Sequence, residues 1–275
     1  MTNSYLPFDE YCSIFAQYGD PGAEYLRDAY GRMCLTHNLA TVNLQKGSTV
    51  LDVGAHLLHH SLLYAMCGYS VIAVDLKVMS DPESHPVIKG VSSQYKIKTI
   101  NYKDLSDPVE LDSLAESSVS LVLFTEIIEH ITFNPVKMWT AIYRLLGPQG
   151  RIVVTTPNYF ALGHFTRDIL KIAKGRSPGL SPKEIVGINT YGHHWRVYSA
   201  RDLVDYFSEL SPDWSISRVE YLDCVSGRQT FPSVGKVILK RLFRVLRDTI
   251  YLEITLPGKI QGITAAPHWH HTTSV

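Results

Sequence analysis

The sequence predicts an α/β fold, with a mostly parallel sheet and helices on both faces. Three observations predict it. Short apolar runs recur along the chain, several of them closed by a glycine or a carboxylate. Helix-compatible stretches separate them at the spacing of strand–helix–strand units. The later runs are too continuously apolar for edge strands facing water, as expected of parallel strands covered on both sides.

The elements follow in chain order. Met1 to Lys46 reads as a helical N-terminal cap (1–46), rich in aromatics and covering one face of the sheet. Thr49 to Gly54 reads as a buried strand ending in glycine, and His59 to Cys67 as a helix stopped by Gly68. Val71 to Val74 is a second strand, closed by Asp75, and Tyr95 to Ile100 alternates weakly as a third. Val119 to Phe124 and Arg151 to Thr155 are a fourth and a fifth. Between them Pro135 to Leu146 reads as a helix, with proline suited to its first turn and Gly147-Pro148 ending it.

Tyr159 to Ser199 breaks this rhythm with Gly, Pro, Lys and His, and reads as a lid (159–199) inserted after strand five in an α/β body spanning 47–266. Gly235 to Asp248 mixes five cations (Lys236, Lys240, Arg241, Arg244, Arg247) with apolar residues such as Ile238, Leu242 and Phe243. It reads as an amphipathic helix (235–248) covering the sheet with a solvated basic face. Peripheral contact with a membrane surface or an anionic substrate is the alternative. Pro267 to Val275 (267–275) is a flexible polar tail, in which His268, His270 and His271 are read as surface residues, not metal ligands.

Composition bounds the function. The chain has 275 residues, 26 Lys plus Arg against 26 Asp plus Glu, 45% hydrophobic and 19% charged. That is too apolar and too weakly charged for a disordered protein. Zero net charge counts against broad electrostatic binding of nucleic acid. Four dispersed cysteines (Cys12, Cys34, Cys67, Cys224) make neither a disulfide framework nor a zinc ribbon. Met1 to Asp9 lacks the pattern of a signal peptide, and no stretch reaches the ~18 apolar residues of a membrane span, so a cytoplasmic location is expected.

In open α/β sheets, ligands lie beyond the carboxyl ends of the strands, where strand order reverses. Here strand one ends Asp52-Val53-Gly54-Ala55-His56, and Asp75 stands 21 positions after Gly54. That spacing suits a carboxylate receiving two ribose hydroxyls of a nucleoside laid across strand one. Gly54 lets backbone pass close to a ligand. Asp104 follows strand three, within reach of base or ribose, and Glu126 follows strand four.

These residues carry a resemblance. Val50 to Gly54 resembles the first motif of class I S-adenosylmethionine-dependent methyltransferases, and Val71 to Asp75 the second. Leu121 to Ile131 (LVLFTEIIEHI) resembles the family's fourth-strand motif, and Leu145 to Asn158 (LLGPQGRIVVTTPN) its LKPGG-strand-TPN segment. The match runs over about residues 45–210. Nicotinamide enzymes share the strand–glycine–helix turn but not the TPN and EH segments. The resemblance implies a Rossmann-like, seven-stranded sheet and S-adenosylmethionine as cofactor, with Asp52, Gly54, Ala55, His56, Asp75, Asp104 and Glu126 binding it. One departure stands out: the family's GxGxG is Gly54-Ala55-His56-Leu57-Leu58 here, so His56 and Leu58 replace two glycines. It reads as a variant cofactor loop, with a degenerate, non-catalytic site as the alternative.

Glu126, Glu129 and His130 stand at i, i+3 and i+4, which on a helical turn places them on one face, able to converge on a cation. The cluster is similar to small-RNA 2′-O-methyltransferases, where ExxEH and a distal histidine hold a divalent metal, and to ubiquinone-pathway O-methyltransferases. His194 matches the distal histidine better than His193, because it stands four residues before an aromatic followed by Ser. The resemblance implies a metal set of Glu126, Glu129, His130 and His194, suited to Mg²⁺, Mn²⁺ or Fe²⁺. Without metal, His130 or His194 would act as general base. The leading expectation is O-methylation of a small-molecule hydroxyl, of a sugar or secondary metabolite. Metal-dependent RNA 2′-O-methylation and a non-catalytic role are the alternatives.

Overall fold

The computed structural model describes residues 5–20, 23–76, 85–187, 192–223 and 234–266. The strands there are β1 (Thr49–Val53), β2 (Ser70–Leu76), β3 (Lys98–Tyr102), β4 (Val119–Thr125), β5 (Leu146–Pro157), β6 (Ser215–Leu222) and β7 (Thr249–Leu256). They form one seven-stranded sheet in the order β3-β2-β1-β4-β5-β7-β6. β1 to β5 run parallel, and β7 is antiparallel to both β5 and β6. Strand order reverses between β1 and β4, where Asp52 is in register with Leu123. A crevice therefore opens beyond the carboxyl ends of these two strands.

The helices are α1 (Phe8–Ala16), α2 (Ala23–Ala40), α3 (His59–Met66), α4 (Pro86–Tyr95), α5 (Val136–Leu145), α6 (Leu162–Ala173), α7 (Pro182–Gly187), α8 (Ala200–Leu210) and α9 (Val234–Leu242). α1 to α4 cover one face, burying Tyr11, Phe15, Leu26 and Leu62 with Val50, Val71 and Leu121 of the sheet. α5 and α8 cover the other, where Trp139 and Phe207 join Leu51, Val53 and Phe124. Neighbours on β1 belong to opposite cores because strand side chains alternate. Trp139 is fully buried yet satisfied, its indole N–H donating to the Tyr206 hydroxyl at 2.7 Å.

The segment 159–199 leaves and re-enters at one point. The Tyr159 amide donates to the Tyr198 carbonyl at 2.9 Å, and α8 then starts from a capping box between Ser199 and Asp202.

Two elements differ from expectation. The third strand lies over Lys98–Tyr102, because Tyr95 ends α4 and Lys96 turns the chain in the left-handed region at φ 56. The basic segment 235–248 is not one sheet-covering helix. α9 ends at Leu242, and the Asn158 amide holds the carbonyls of Val245 and Arg247 at 2.7 Å each, turning the chain into β7. Cys12, Cys34 and Cys67 are free thiols. The tail 267–275 with its three histidines, Tyr191 and Cys224 lie outside the described residues.

Candidate active site

The turn after β1 closes over β2, with the Gly54 and Ala55 amides donating to the Val74 carbonyl at 2.8 and 3.2 Å. Gly54 has φ 77, and a Cβ there would lie 2.0 Å from Ile127 Cδ1. His56 (φ 45) and Leu58 (φ 66) are also left-handed, so the loop keeps a glycine-like path with L residues at both replaced positions. Each costs roughly 1–2 kcal/mol of backbone strain. The surroundings offset it. Leu58 is buried in the α1–α4 core, and the exposed His56 donates its amide to Asp75 Oδ2 at 2.5 Å. Asp75 also accepts the Leu76 amide at 2.6 Å, and burial raises its pKa despite both bonds. Gly54, His56, Asp75, Asp104, Glu126 and His130 share the wall of one cavity of about 790 Å³.

A smaller pocket of about 40 Å³ lies beneath the loop, bordered by Asp52 of β1, Ala55, His59 of α3, and Tyr25, Arg32 and Thr36 of α2. Asp52 is fully buried, accepts the Ser61 hydroxyl at 2.6 Å, and has its pKa pushed up to about 7 by burial. Burial pulls His59 down to about 4, against the opposing pull of Asp20. Thr36 Oγ1 and His59 Nδ1 are buried without a hydrogen-bond partner among the described residues. Such orphans are rare in a folded protein unless a ligand or water completes them.

Beyond β4 the chain does not make an α-helical turn. Glu126 is left-handed at φ 58, its amide donating to the Thr155 carbonyl at 2.8 Å, and Ile128–His130 is a 3₁₀ turn. Glu126 therefore does not share a face with Glu129 and His130. Its carboxylate pairs with Arg32 and accepts the Thr155 hydroxyl at 3.0 Å. Glu129 is fully buried. Its Oε2 accepts the Thr156 hydroxyl at 2.9 Å while Oε1 has no partner among the described residues. Burial first, and the nearby Glu126 second, push its pKa up to about 8. His130 Nδ1 lies 2.8 Å from the His193 carbonyl. A carbonyl only accepts, so Nδ1 carries the proton and Nε2 keeps its lone pair.

The Trp195 amide donates to the Glu129 carbonyl at 2.8 Å, bringing His194 to His130 with ring centroids 4.8 Å apart. Ligand atoms of Glu129, His130 and His194 lie within 4.8 Å of one another, and Glu126, expected with them, is outside that group. His193 is buried, with Nε2 3.2 Å from the Ile185 carbonyl. A second cavity of about 480 Å³ is bordered by Tyr159, His164, Arg167, His194 and Trp195. The two histidines thus meet where the cavities adjoin. Burial lowers both pKa values, keeping the pair neutral at neutral pH.

A family model for a methyltransferase domain matches residues 25–211. The chain belongs to that family. It is a class I S-adenosylmethionine-dependent methyltransferase. Solved structures share its fold at low identity. A methyltransferase complexed with the Haloferax volcanii Trm112 methyltransferase activator is similar at TM-score 0.55 and 14% identity, over 92% of this chain and 98% of that one. Burkholderia thailandensis 1,6-didemethyltoxoflavin-N1-methyltransferase, with its named substrate and S-adenosylhomocysteine, gives 0.54 and 13% over 94% of each chain. Geranyl diphosphate C-methyltransferase of Streptomyces coelicolor gives 0.54 and 13% over 88% and 87%. No curated protein matches the chain.

Sequence reasoning missed the part of this methyltransferase's crevice that α2 supplies. Tyr25, Arg32 and Thr36 sit in a helix whose spacing reads only as an amphipathic cap. Nothing in the sequence sets Arg32 apart from Arg27 in the same helix.

Proposed function

We propose that this methyltransferase methylates a hydroxyl of a small molecule held under the lid. The observation that carries the reading is the neutral His130–His194 pair at the junction of the two cavities, with His130 Nε2 free to accept a proton. An oxygen nucleophile must lose a proton on methylation, and a histidine tuned below its usual pKa is unprotonated at neutral pH. The lid cavity would hold the acceptor oxygen roughly 3–3.5 Å from the methyl carbon and in line with the bond that breaks.

S-adenosylmethionine, when bound, supplies an electrophilic methyl group on sulfur. The residues present fit it. Asp75 and Asp104 border the larger cavity where ribose and base would lie, with Gly54 and His56 in its wall, and Ala55 lines the inner pocket beside it. Asp52 braces that loop from below through Ser61. Arg32 and Glu126, paired across the inner pocket, present the two charges complementary to a zwitterionic amino-acid end. The partnerless Thr36 and His59 atoms beside them add polar contacts.

A second reading rests on the buried, partnerless Glu129 Oε1. With His130 and His194 it forms a donor set that would hold Mg²⁺, Mn²⁺ or Fe²⁺, an ion that lowers the pKa of a coordinated hydroxyl.

The test is methyl transfer to a panel of hydroxylated acceptors, with S-adenosylhomocysteine titrated by calorimetry. His130→Asn and His194→Asn should each lower kcat by roughly 10²-fold or more without changing S-adenosylhomocysteine affinity. Asp75→Ala should abolish that affinity. Unchanged binding in Asp75→Ala, or full turnover in both histidine variants, would refute the assignment. Loss of activity on chelation, restored by Mg²⁺ or Mn²⁺, would select the second reading.

A further inference from the structure

The lid helix α6 and helix α9 bury nothing in the fold that their sequences would lead one to expect. Phe165, Ile169 and Ile172 form one stripe of α6, yet α6 has no buried residue, and Ile169 and Ile172 are 48% and 59% exposed. On α9, Ile238 and Leu242 at i and i+4 are 50% and 70% exposed, followed by Phe243 at 55%. Contiguous exposed apolar surface of this kind marks an interaction site.

The two stripes belong to one region. Asn158, at the end of β5, binds the carbonyls of Val245 and Arg247 and donates its amide to that of Asp248, and α6 begins four residues later. The buried Asn158 thus anchors the end of the α9 segment beside the start of α6.

Charge identifies the occupant. Residues 160–176 and 234–247 together carry nine cations against one carboxylate, Asp168, in a chain whose net charge is zero. Lys171 and Lys240 have ion-pair partners, and Arg244 approaches Glu220 at 3.7 Å. Arg167, Lys174, Lys236 and Arg241 are exposed with no carboxylate partner among the described residues. Apolar stripes flanked by cations match the acyl boundary and the anionic headgroups of a bilayer. A second copy of the chain would bring like charges face to face. Single-stranded nucleic acid would need aromatic platforms, whereas these residues are mostly aliphatic.

We propose that α6 and the segment from α9 through Phe243 form one interfacial surface that seats this methyltransferase on an anionic lipid bilayer. Among the described residues no helix is long and apolar enough to cross a membrane, so contact is with one leaflet. Docking sets the lid, and with it the mouth of the lid cavity, against the lipid headgroups.

The experiment is cosedimentation of the full chain with vesicles of phosphatidylcholine alone and of equimolar phosphatidylcholine and phosphatidylglycerol. The expected result is partitioning onto the anionic vesicles at low salt, reduced at least tenfold near about 1 M salt, where the screening length is only about 3 Å. Lys236→Gln with Arg241→Gln should weaken partitioning by about 25-fold, roughly fivefold per lost cation. Leu242→Ser with Phe243→Ser should weaken it by about tenfold or more while leaving the charge intact. Ile169→Ser with Ile172→Ser on α6 gives an independent test, and far-UV circular dichroism checks folding of each variant. No partitioning at low salt, equal partitioning onto neutral vesicles, or native partitioning by the folded variants would overturn the proposal. So would salt-sensitive binding of single-stranded RNA without vesicle binding, or a dimer that the apolar variants dissociate.

Discussion

Replacing Gly54 by alanine brings together two costs that can be separated. The backbone there is left-handed at φ 77, which costs an L residue about 1 kcal/mol or slightly more. The new Cβ would also lie 2.0 Å from Cδ1 and 2.6 Å from Cγ1 of Ile127, a partly buried side chain packed against the core. Forcing such a side chain aside costs about 1–3 kcal/mol. Gly54→Ala should therefore destabilise the protein by about 2–4 kcal/mol. Ile127→Ala alone should cost about 1–2 kcal/mol, below the range for a fully buried isoleucine. In the double variant the overlap disappears and the backbone cost remains, so the two substitutions should couple by about 1–3 kcal/mol in the favourable sense. Urea unfolding of the four proteins measures this cycle. Additivity to within about 0.5 kcal/mol, or a native midpoint for Gly54→Ala, would show that Ile127 does not close the loop as described.

The other predictions concern the same loop and its support. Asp52 has its folded pKa raised to about 7 from 3.8, so the folded state retains a proton that the unfolded state has released between those values. Its stabilising protonation is complete below the unfolded value and lost as pH rises through the folded one, a span of about 4 kcal/mol. Asp52→Asn should flatten the fall in unfolding free energy between about pH 4 and pH 7, and an unchanged slope would contradict the buried-acid assignment. The two left-handed replacements should respond with opposite signs. His56→Gly relieves strain at an exposed site and should be neutral or stabilising by up to about 1 kcal/mol. Leu58→Gly removes a buried side chain and should cost about 2–4 kcal/mol. Thermal melts compare them, and equal shifts would count against the packing of Leu58.

The sequence legibly contained β1, β2, β4, β5 and α5, because continuous apolar runs and their glycine or proline stops are local signals. β6 was not legible from its residues: its burial alternates only partly, and its place beside β7 depends on pairing with a distant strand. The basic segment misled for a related reason. Periodicity says that α9 has an apolar stripe but not what covers it, and Asn158 turns the chain into β7 before the helix can reach Asp248.

In the site, motif order alone named Gly54, Asp75, His130 and His194, since each stands at a fixed offset from a strand end or an aromatic. The choice between Glu126 and Glu129 could not be made that way. It depends on a left-handed Glu126 held by the Thr155 carbonyl, and on the pairing of its carboxylate with Arg32 of α2. Likewise the free oxygen of Glu129 follows from a fully buried side chain in which Thr156 satisfies only the other carboxylate oxygen. Chain order thus determined the family and the order of the strand-end motifs that border the crevice, because these follow from local pattern and spacing. Which carboxylate faces the histidines, what α2 contributes and which apolar stripes stay uncovered were settled by tertiary packing. Those outcomes depend on contacts between segments far apart in the chain, which no local pattern encodes.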